Sequence, residues 1–278
     1  MKNILTLLVL FAAFVSCEKP ITSDGDADTN KEVSPDDNLV VRVPADGLSS
    51  SRLNFAVYDM DGTRVKQVNQ QMPLSHAASF QLTPGPYFLV VVAHSSDGNP
   101  TMTNPRKIQF TNAQGFTDTF LYSDSITVGD ERKELNVTPK RIVSLCRFVL
   151  TDDYPADVAK MRFYYTGGSG AFDATTSLGC VNSKQDVKFD VSANNKQFDL
   201  YTFPYKSTEG TIHLVVSALD ASGNEILQRE FDVSIEKNYI TWVSGSFFGG
   251  SGSDPTGGAG ITSVTVNTDW AGETHVTF

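Results

Sequence analysis

Sustained helical periodicity is absent from this 278-residue sequence, and so are most of the groupings that side-chain catalysis requires. His76, His94, His213 and His275 stand singly, with no HExxH, CxxC or GxSxG around them, which excludes the common zinc-hydrolase, dithiol and serine-hydrolase layouts. Basic runs are also missing: 22 Lys and Arg face 32 Asp and Glu, and a net charge of -10 excludes capture of nucleic acid through its phosphates. Asp and Glu pairs are too common in this acidic sequence to single out two carboxylates for glycoside hydrolysis. Gly167-Gly168-Ser169-Gly170 lacks the lysine and following helix of a phosphate-binding loop and reads as a surface loop. No enzyme, no cofactor and no metal site is expected.

Cysteine is scarce as well, with only Cys17, Cys146 and Cys180. Cys146 sits in the apolar run IVSLCRFVL and reads as a buried thiol, although an exported location would permit it to pair with Cys180. The one long apolar stretch, Ile4 to Val15, falls short of the roughly 20 residues that span a bilayer. Preceded by Lys2 and ended by Glu18-Lys19-Pro20, it has the layout of a secretory signal.

The end of that stretch carries more. Phe14-Val15-Ser16-Cys17 resembles a bacterial lipobox, with Phe14 where leucine is usual. The resemblance implies cleavage after residue 16 and acylation of Cys17, palmitate included. At about 0.8 kcal/mol per buried methylene, several acyl chains would hold the protein to the outer membrane durably. Residues 17–38 read as a flexible acidic tether, because they offer too little apolar surface to fold. Asp24-x-Asp26-x-Asp28 is not an EF-hand loop: Thr29 and Pro35 stand where glycine and glutamate are needed.

The body reads as strands in two units, 39–138 and 139–248. Leu53, Phe55 and Val57 alternate with Asn54, Ala56 and Tyr58, Asp59-Met60-Asp61-Gly62 supplies a turn, and Thr63 to Gln70 returns. Tyr87 to Ala93 is nearly all apolar and suits a central strand covered on both faces. In the second unit Ile142–Leu150, Asp186–Val191, Phe198–Phe203, Ile212–Leu219, Ile226–Ile235 and Tyr239–Val243 continue the pattern. The segment from Ser217 to Ile226 echoes that from Ala56 to Val65, strand, Asp-x-x-Gly turn and strand, which predicts two antiparallel β-sandwiches of one architecture in series.

The succession NFAVYDMDGTRV, QLTPGPYFLVVVAH, LCRFVL and LVVSALDASGNEILQREFDVSIEKNYITWVSGSFF resembles the fimbrillin superfamily of gut and oral bacteria, in its FimB-like anchor and accessory branch. The resemblance implies an all-β fold of two tandem transthyretin-like sandwiches. It also implies a surface-exposed outer-membrane lipoprotein that anchors or joins a fimbria, with other fimbrial subunits and a host surface or glycan as partners. Assembly would use strand complementation. Two stretches are candidates: Leu39, Val41 and Val43 at one end, and Ile261, Val264 and Val266 at the other, the latter beyond a Gly/Ser-rich linker at 249–260. The arm 261–278 either folds back onto its own sandwich or pairs with a neighbour. Arg42 and Arg52 are candidate processing sites, where cleavage would release the first strand together with the lipid. The alternative is a carbohydrate-binding lipoprotein of a glycan-uptake system, with Tyr154, Tyr164, Tyr165, Trp242, Phe247, Phe248 and Trp270 as stacking faces, most of them better read as core.

Overall fold

The computed structural model describes residues 33–45, 48–111, 116–192, 194–249 and 270–278, and every regular element among them is a strand. The N-terminal half holds β1 (Leu39–Arg42), β2 (Arg52–Tyr58), β3 (Arg64–Gln71), β4 (Ala77–Phe80), β5 (Gly85–His94), β6 (Thr101–Asn104), β7 (Lys107–Gln109), β8 (Phe120–Val128) and β9 (Lys133–Asn136). β10 (Lys140–Arg141) leads into β11 (Ser144–Leu150), β12 (Lys160–Thr166), β13 (Gly168–Ser169), β14 (Ala171–Asp173) and β15 (Leu178–Gly179). β16 (Gln185–Asp190), β17 (Gln197–Pro204), β18 (Glu209–Leu219), β19 (Glu225–Glu236), β20 (Tyr239–Gly245) and β21 (Gly272–Thr277) complete the second half.

Each half faces one sheet against another. In the first, β4-β1-β9 covers β10-β8-β5-β2-β3; in the second, β13-β17-β11-β20-β21 covers β16-β12-β18-β19. The connectivity repeats. β1 runs antiparallel to β4 and parallel to β9, and β11 runs antiparallel to β17 and parallel to β20. The opposing sheets, β3-β2-β5-β8 and β16-β12-β18-β19, repeat in the same way. The sheets are therefore mixed, not purely antiparallel as the sequence suggested, since β1/β9, β11/β20 and β20/β21 are parallel pairs. Alternation of residues specifies which face is buried but carries no information on strand direction, which long connections decide.

Two turns are alike in detail although they join β2 to β3 and β18 to β19, which are not equivalent pairs in this repeat. Asp59 donates its N–H to the Thr63 carbonyl at 2.9 Å, and its Oδ1 accepts the N–H of Asp61 at 3.0 Å and of Thr63 at 2.8 Å. Asp220 does the same with Asn224 at 2.9 Å, and its Oδ1 accepts from Ser222 and Asn224 at 2.8 Å each. Gly62 and Gly223 close the two turns at φ +85° and +86°, where a side chain would be strained. A register shift accompanies each, at Val57/Tyr58 and at Ala218/Leu219.

Three apolar cores result. One packs Leu39, Val41, Phe55, Leu89 and Val91 inside the first half, and another packs Phe148, Phe163, Phe198, Leu214 and Phe231 inside the second. The third joins the halves: Ala56, Tyr58, Val90 and Val92 meet Leu145, Phe203, Ile240 and Trp270. A small sheet, β15-β14-β7-β6, takes strands from both sides of the junction. This explains β2, whose alternation implies one wet face but whose residues Leu53 to Tyr58 are all buried. Tyr87 to Ala93, by contrast, lies centrally between β2 and β8 as its composition implied.

Three further expectations change. Gly168, Ser169 and Gly170 are buried, not a surface loop, because a Cβ on Gly168 would strike Thr202 and the chain must pass close to β17. Trp242 is half-buried at the edge of the core that joins the two halves, not inside its own sandwich, and is stacked on His275 at 5.5 Å with Arg147 at 4.8 Å. Strand β12 was not anticipated, although Met161, Phe163 and Tyr165 alternate strictly with Lys160, Arg162 and Tyr164 and give it the central place in its sheet.

Candidate assembly site

β1 is the middle strand of its three-stranded sheet, laddered to β4 on one side and β9 on the other. Leu39, Val40 and Val41 have 0% exposure, so this short strand buries on the order of 5–8 kcal/mol of apolar transfer free energy, an upper value. Asn38 positions its entry. The Asn38 Nδ2 donates to the carbonyls of Leu82 and Gly129 at 2.8 Å each, and its Oδ1 accepts the Leu82 N–H at 2.9 Å. At the other end Val43 is buried and donates its N–H to His76 at 2.9 Å. Arg42 points outward and pairs with Glu134 at 3.4 Å, an exposed contact worth at most about 1 kcal/mol.

Both candidate processing residues lie inside ladders. Arg42 is in register with Ala77 and Asn136, and Arg52 with Gln71 and His94. The connecting residues 43–51 contain no Lys or Arg.

At the other end, β21 runs parallel to β20 from Tyr239↔Gly272 to Ser244↔Thr277. Phe278 then stacks on Phe148 at 5.2 Å and contacts Phe231 at 4.7 Å, and a Cβ on Gly245 would collide with it. Residues 272–278 thus complete the sheet of their own half. The departing chain after β20 is fixed by Asp152, which accepts from the N–H groups of Phe247, Phe248 and Gly249 and from Ser246 Oγ at 2.5–3.0 Å. Burial raises the Asp152 pKa, but these hydrogen bonds outweigh it and hold the carboxyl below its usual value. Cys17 and the strand candidates Ile261, Val264 and Val266 lie outside the described residues.

The remaining titratable groups are dispersed, and no cluster of three or more His, Cys, Asp or Glu suited to a metal occurs among the described residues. His94 is buried, with Nε2 at 2.7 Å from Asn54 Oδ1 and Nδ1 accepting the Ser96 N–H at 3.1 Å; burial, then Arg52, lowers its pKa to about 3. His213 lies on the surface between Asp232 and Glu230. Cys146 and Cys180 are both free, and burial pushes the Cys146 thiol up to about 12. The aromatic residues do not form one platform. Tyr165 and Phe247 are core residues, Trp270 lies in the junction core, and Tyr154 and Phe248 pair with each other at 5.9 Å. Sequence reasoning missed Asn38 and Asp152, whose partners lie 44 to 97 residues away and leave no local signal.

No protein-family model matches the sequence, and no curated protein does. Solved structures do resemble the fold. A candidate adhesin from Bacteroides ovatus aligns over 72% of this chain and 83% of its own, at 15% identity and a TM-score of 0.52. A fimbrial assembly protein from Parabacteroides distasonis aligns over 75% and 89% at 14% identity and a TM-score of 0.39. The fimbrial anchor protein Mfa2 from Porphyromonas gingivalis aligns over 69% and 80% at 12% identity and a TM-score of 0.40. At such identities a likeness speaks for fold alone, and on the first of these the chain shares the β-sandwich fold of the Bacteroides ovatus structure.

Proposed function

We propose that the protein is a fimbrial anchor or accessory subunit, held to the outer membrane through acylated Cys17 and supporting adhesion at the cell surface. Its body is two tandem transthyretin-like sandwiches, 39–138 and 139–248, joined to other fimbrial subunits by strand complementation. Its role is mechanical and not catalytic. The observation that carries this reading is the position of β1: the strand that follows the tether is the fully buried centre of its sheet. Pulling on the lipid end therefore loads a core strand, and removing that strand would open an apolar groove for another subunit's strand.

Retention of β1 favours an anchor over a polymerising shaft subunit. Arg42 and Arg52 are paired on both sides, and the loop between them offers no basic residue to an Arg- or Lys-specific protease. The fold shared with the Bacteroides ovatus adhesin supports the surface role. β21 supports self-completion of the C-terminal sheet, which leaves residues 261–266 as the candidate for a donated strand.

Mass spectrometry of the protein taken from cells tests the reading. A lipid-modified N-terminus at Cys17, lost with palmitate labelling in Cys17→Ser, together with co-purification of fimbrial subunits, is the expected result. A mature N-terminus at Leu53 would remove the anchor role, and absence of any fimbrial subunit from the purified complex would remove the fimbrial one.

A further inference from the structure

Where the two halves meet, a pocket of about 630 Å³ opens between β8, the chain around β10, the β14–β15 turn and the β19–β20 turn. Its size falls within the roughly 300–1,000 Å³ usual for small-ligand sites. Its charge runs against the rest of the molecule. The chain has a net charge of -10, yet Lys140, Arg141 and Lys237 line this pocket and no aspartate or glutamate does.

The three cations differ in what they have left to offer. Arg141 is committed: Asp118 takes its Nε and Nη2 at 2.7 and 2.8 Å, and its guanidinium lies over the rings of Trp270 at 4.0 Å and Phe120 at 4.7 Å. It serves as a rigid wall. Lys237 is half-buried, its Nζ donates to the neutral hydroxyl of Ser177 at 2.9 Å, and no described carboxylate pairs with it. Burial lowers its pKa, as expected of an ammonium short of both water and a counter-ion. Lys140 stands exposed at the rim. Of the three donors of Lys237 one is used, by a neutral acceptor, so no described protein counter-charge competes with an anion there. Two of the lining residues, Ser177 at φ 58° and Asn238 at φ 63°, hold the left-handed backbone of the tight turns that bring them to the pocket.

We propose that this pocket binds a carboxylated saccharide, with Lys237 and Lys140 taking the carboxylate and Thr138, Ser177 and Asn238 taking ring hydroxyls. Two ammonium groups without a free guanidinium suit a monoanion better than a phosphate, which is commonly met by arginine forks or backbone N–H cradles. The hydroxyl and amide lining suits a polyol. Binding involves the isolated chain alone, so it holds whichever subunits the protein joins.

Calorimetric titration of the full chain tests this with methyl β-D-glucuronide, its neutral counterpart methyl β-D-glucoside, and sodium sulfate. The glucuronide is expected to bind at least tenfold more tightly than the glucoside, a difference of about 1.4 kcal/mol. Lys237→Gln should weaken it by a further tenfold or so, Lys140→Gln by a few-fold, and Lys66→Gln on the distant strand β3 not at all. Lys140 and Thr138 are exposed, so Lys140→Gln and Thr138→Val test the site even where Lys237→Gln perturbs folding. Absence of glucuronide binding, equal binding of the glucoside, sulfate binding as tight as the glucuronide, or indifference to both lysine variants would each overturn the proposal.

Discussion

Replacing Asn38 by alanine should loosen β1 more than any surface change near it. The side chain is 6% exposed and makes three hydrogen bonds, two with Leu82 and one with Gly129. At about 1 kcal/mol net for each, with the Gly129 carbonyl able to recover water because that bond is only partly buried, the loss comes to about 2–3 kcal/mol. For a chain of this size that lowers the melting temperature by roughly 5–10 °C. If the loss falls on β1 itself, its open population rises roughly 30- to 150-fold, and tryptic cleavage after Arg42 accelerates in proportion. Asn38→Asp separates hydrogen bonding from packing: it retains the acceptor for the Leu82 N–H but turns a carboxylate oxygen toward two carbonyls, so it should be no better than alanine. Denaturant melts and timed trypsin digestion read both effects. A loss below 0.5 kcal/mol, or an aspartate variant as stable as the parent, would refute the clamp. Unchanged cleavage at Arg42 despite a full stability loss would show that Asn38 braces the whole sandwich and not its first strand.

Three further outcomes are expected. His94 is neutral in the fold with its pKa near 3, against 6.5 unfolded, so its contribution is intact above pH 6.5 and declines as the pH falls toward 3. The slope approaches 1.4 kcal/mol per pH unit, and His94→Gln should flatten it in denaturant melts run between pH 7 and 4. Gly62→Ala and Gly223→Ala should each cost about 1–2 kcal/mol, and by similar amounts, because the two turns share a φ near +85° and neither new Cβ meets a close atom; widely different losses would break the equivalence of the turns. In thiol titration of the native protein Cys146 should stay silent until unfolding while half-exposed Cys180 reacts slowly, since burial raises both thiols but only Cys146 is fully enclosed.

Much of the architecture is legible along the chain because it is local chemistry. Alternation at Phe231, Val233 and Ile235 marks β19, the apolar run through Val90 marks a central strand, and the two Asp-x-x-Gly turns repeat down to their hydrogen bonds. β12 carries the same alternation, with Met161, Phe163 and Tyr165 on its buried face. The placement of Leu39, Val41 and Val43 in the core likewise follows from their β-branched and aliphatic pattern.

The sequence by itself determined that the regular elements among the described residues are strands, that two hairpins share one turn design, and that an acid-rich body follows a lipobox-like Cys17. Tertiary structure alone decided that β1/β9, β11/β20 and β20/β21 run parallel, that Ala56 and Tyr58 face a third core instead of water, and that Asn38 and Asp152 hold the ends of strands. It also decided that Lys140, Arg141 and Lys237 share one pocket. The physical reason is range. Side-chain periodicity and turn chemistry act over a few residues, whereas strand direction, burial of a second face and convergence of charges depend on partners about a hundred residues away.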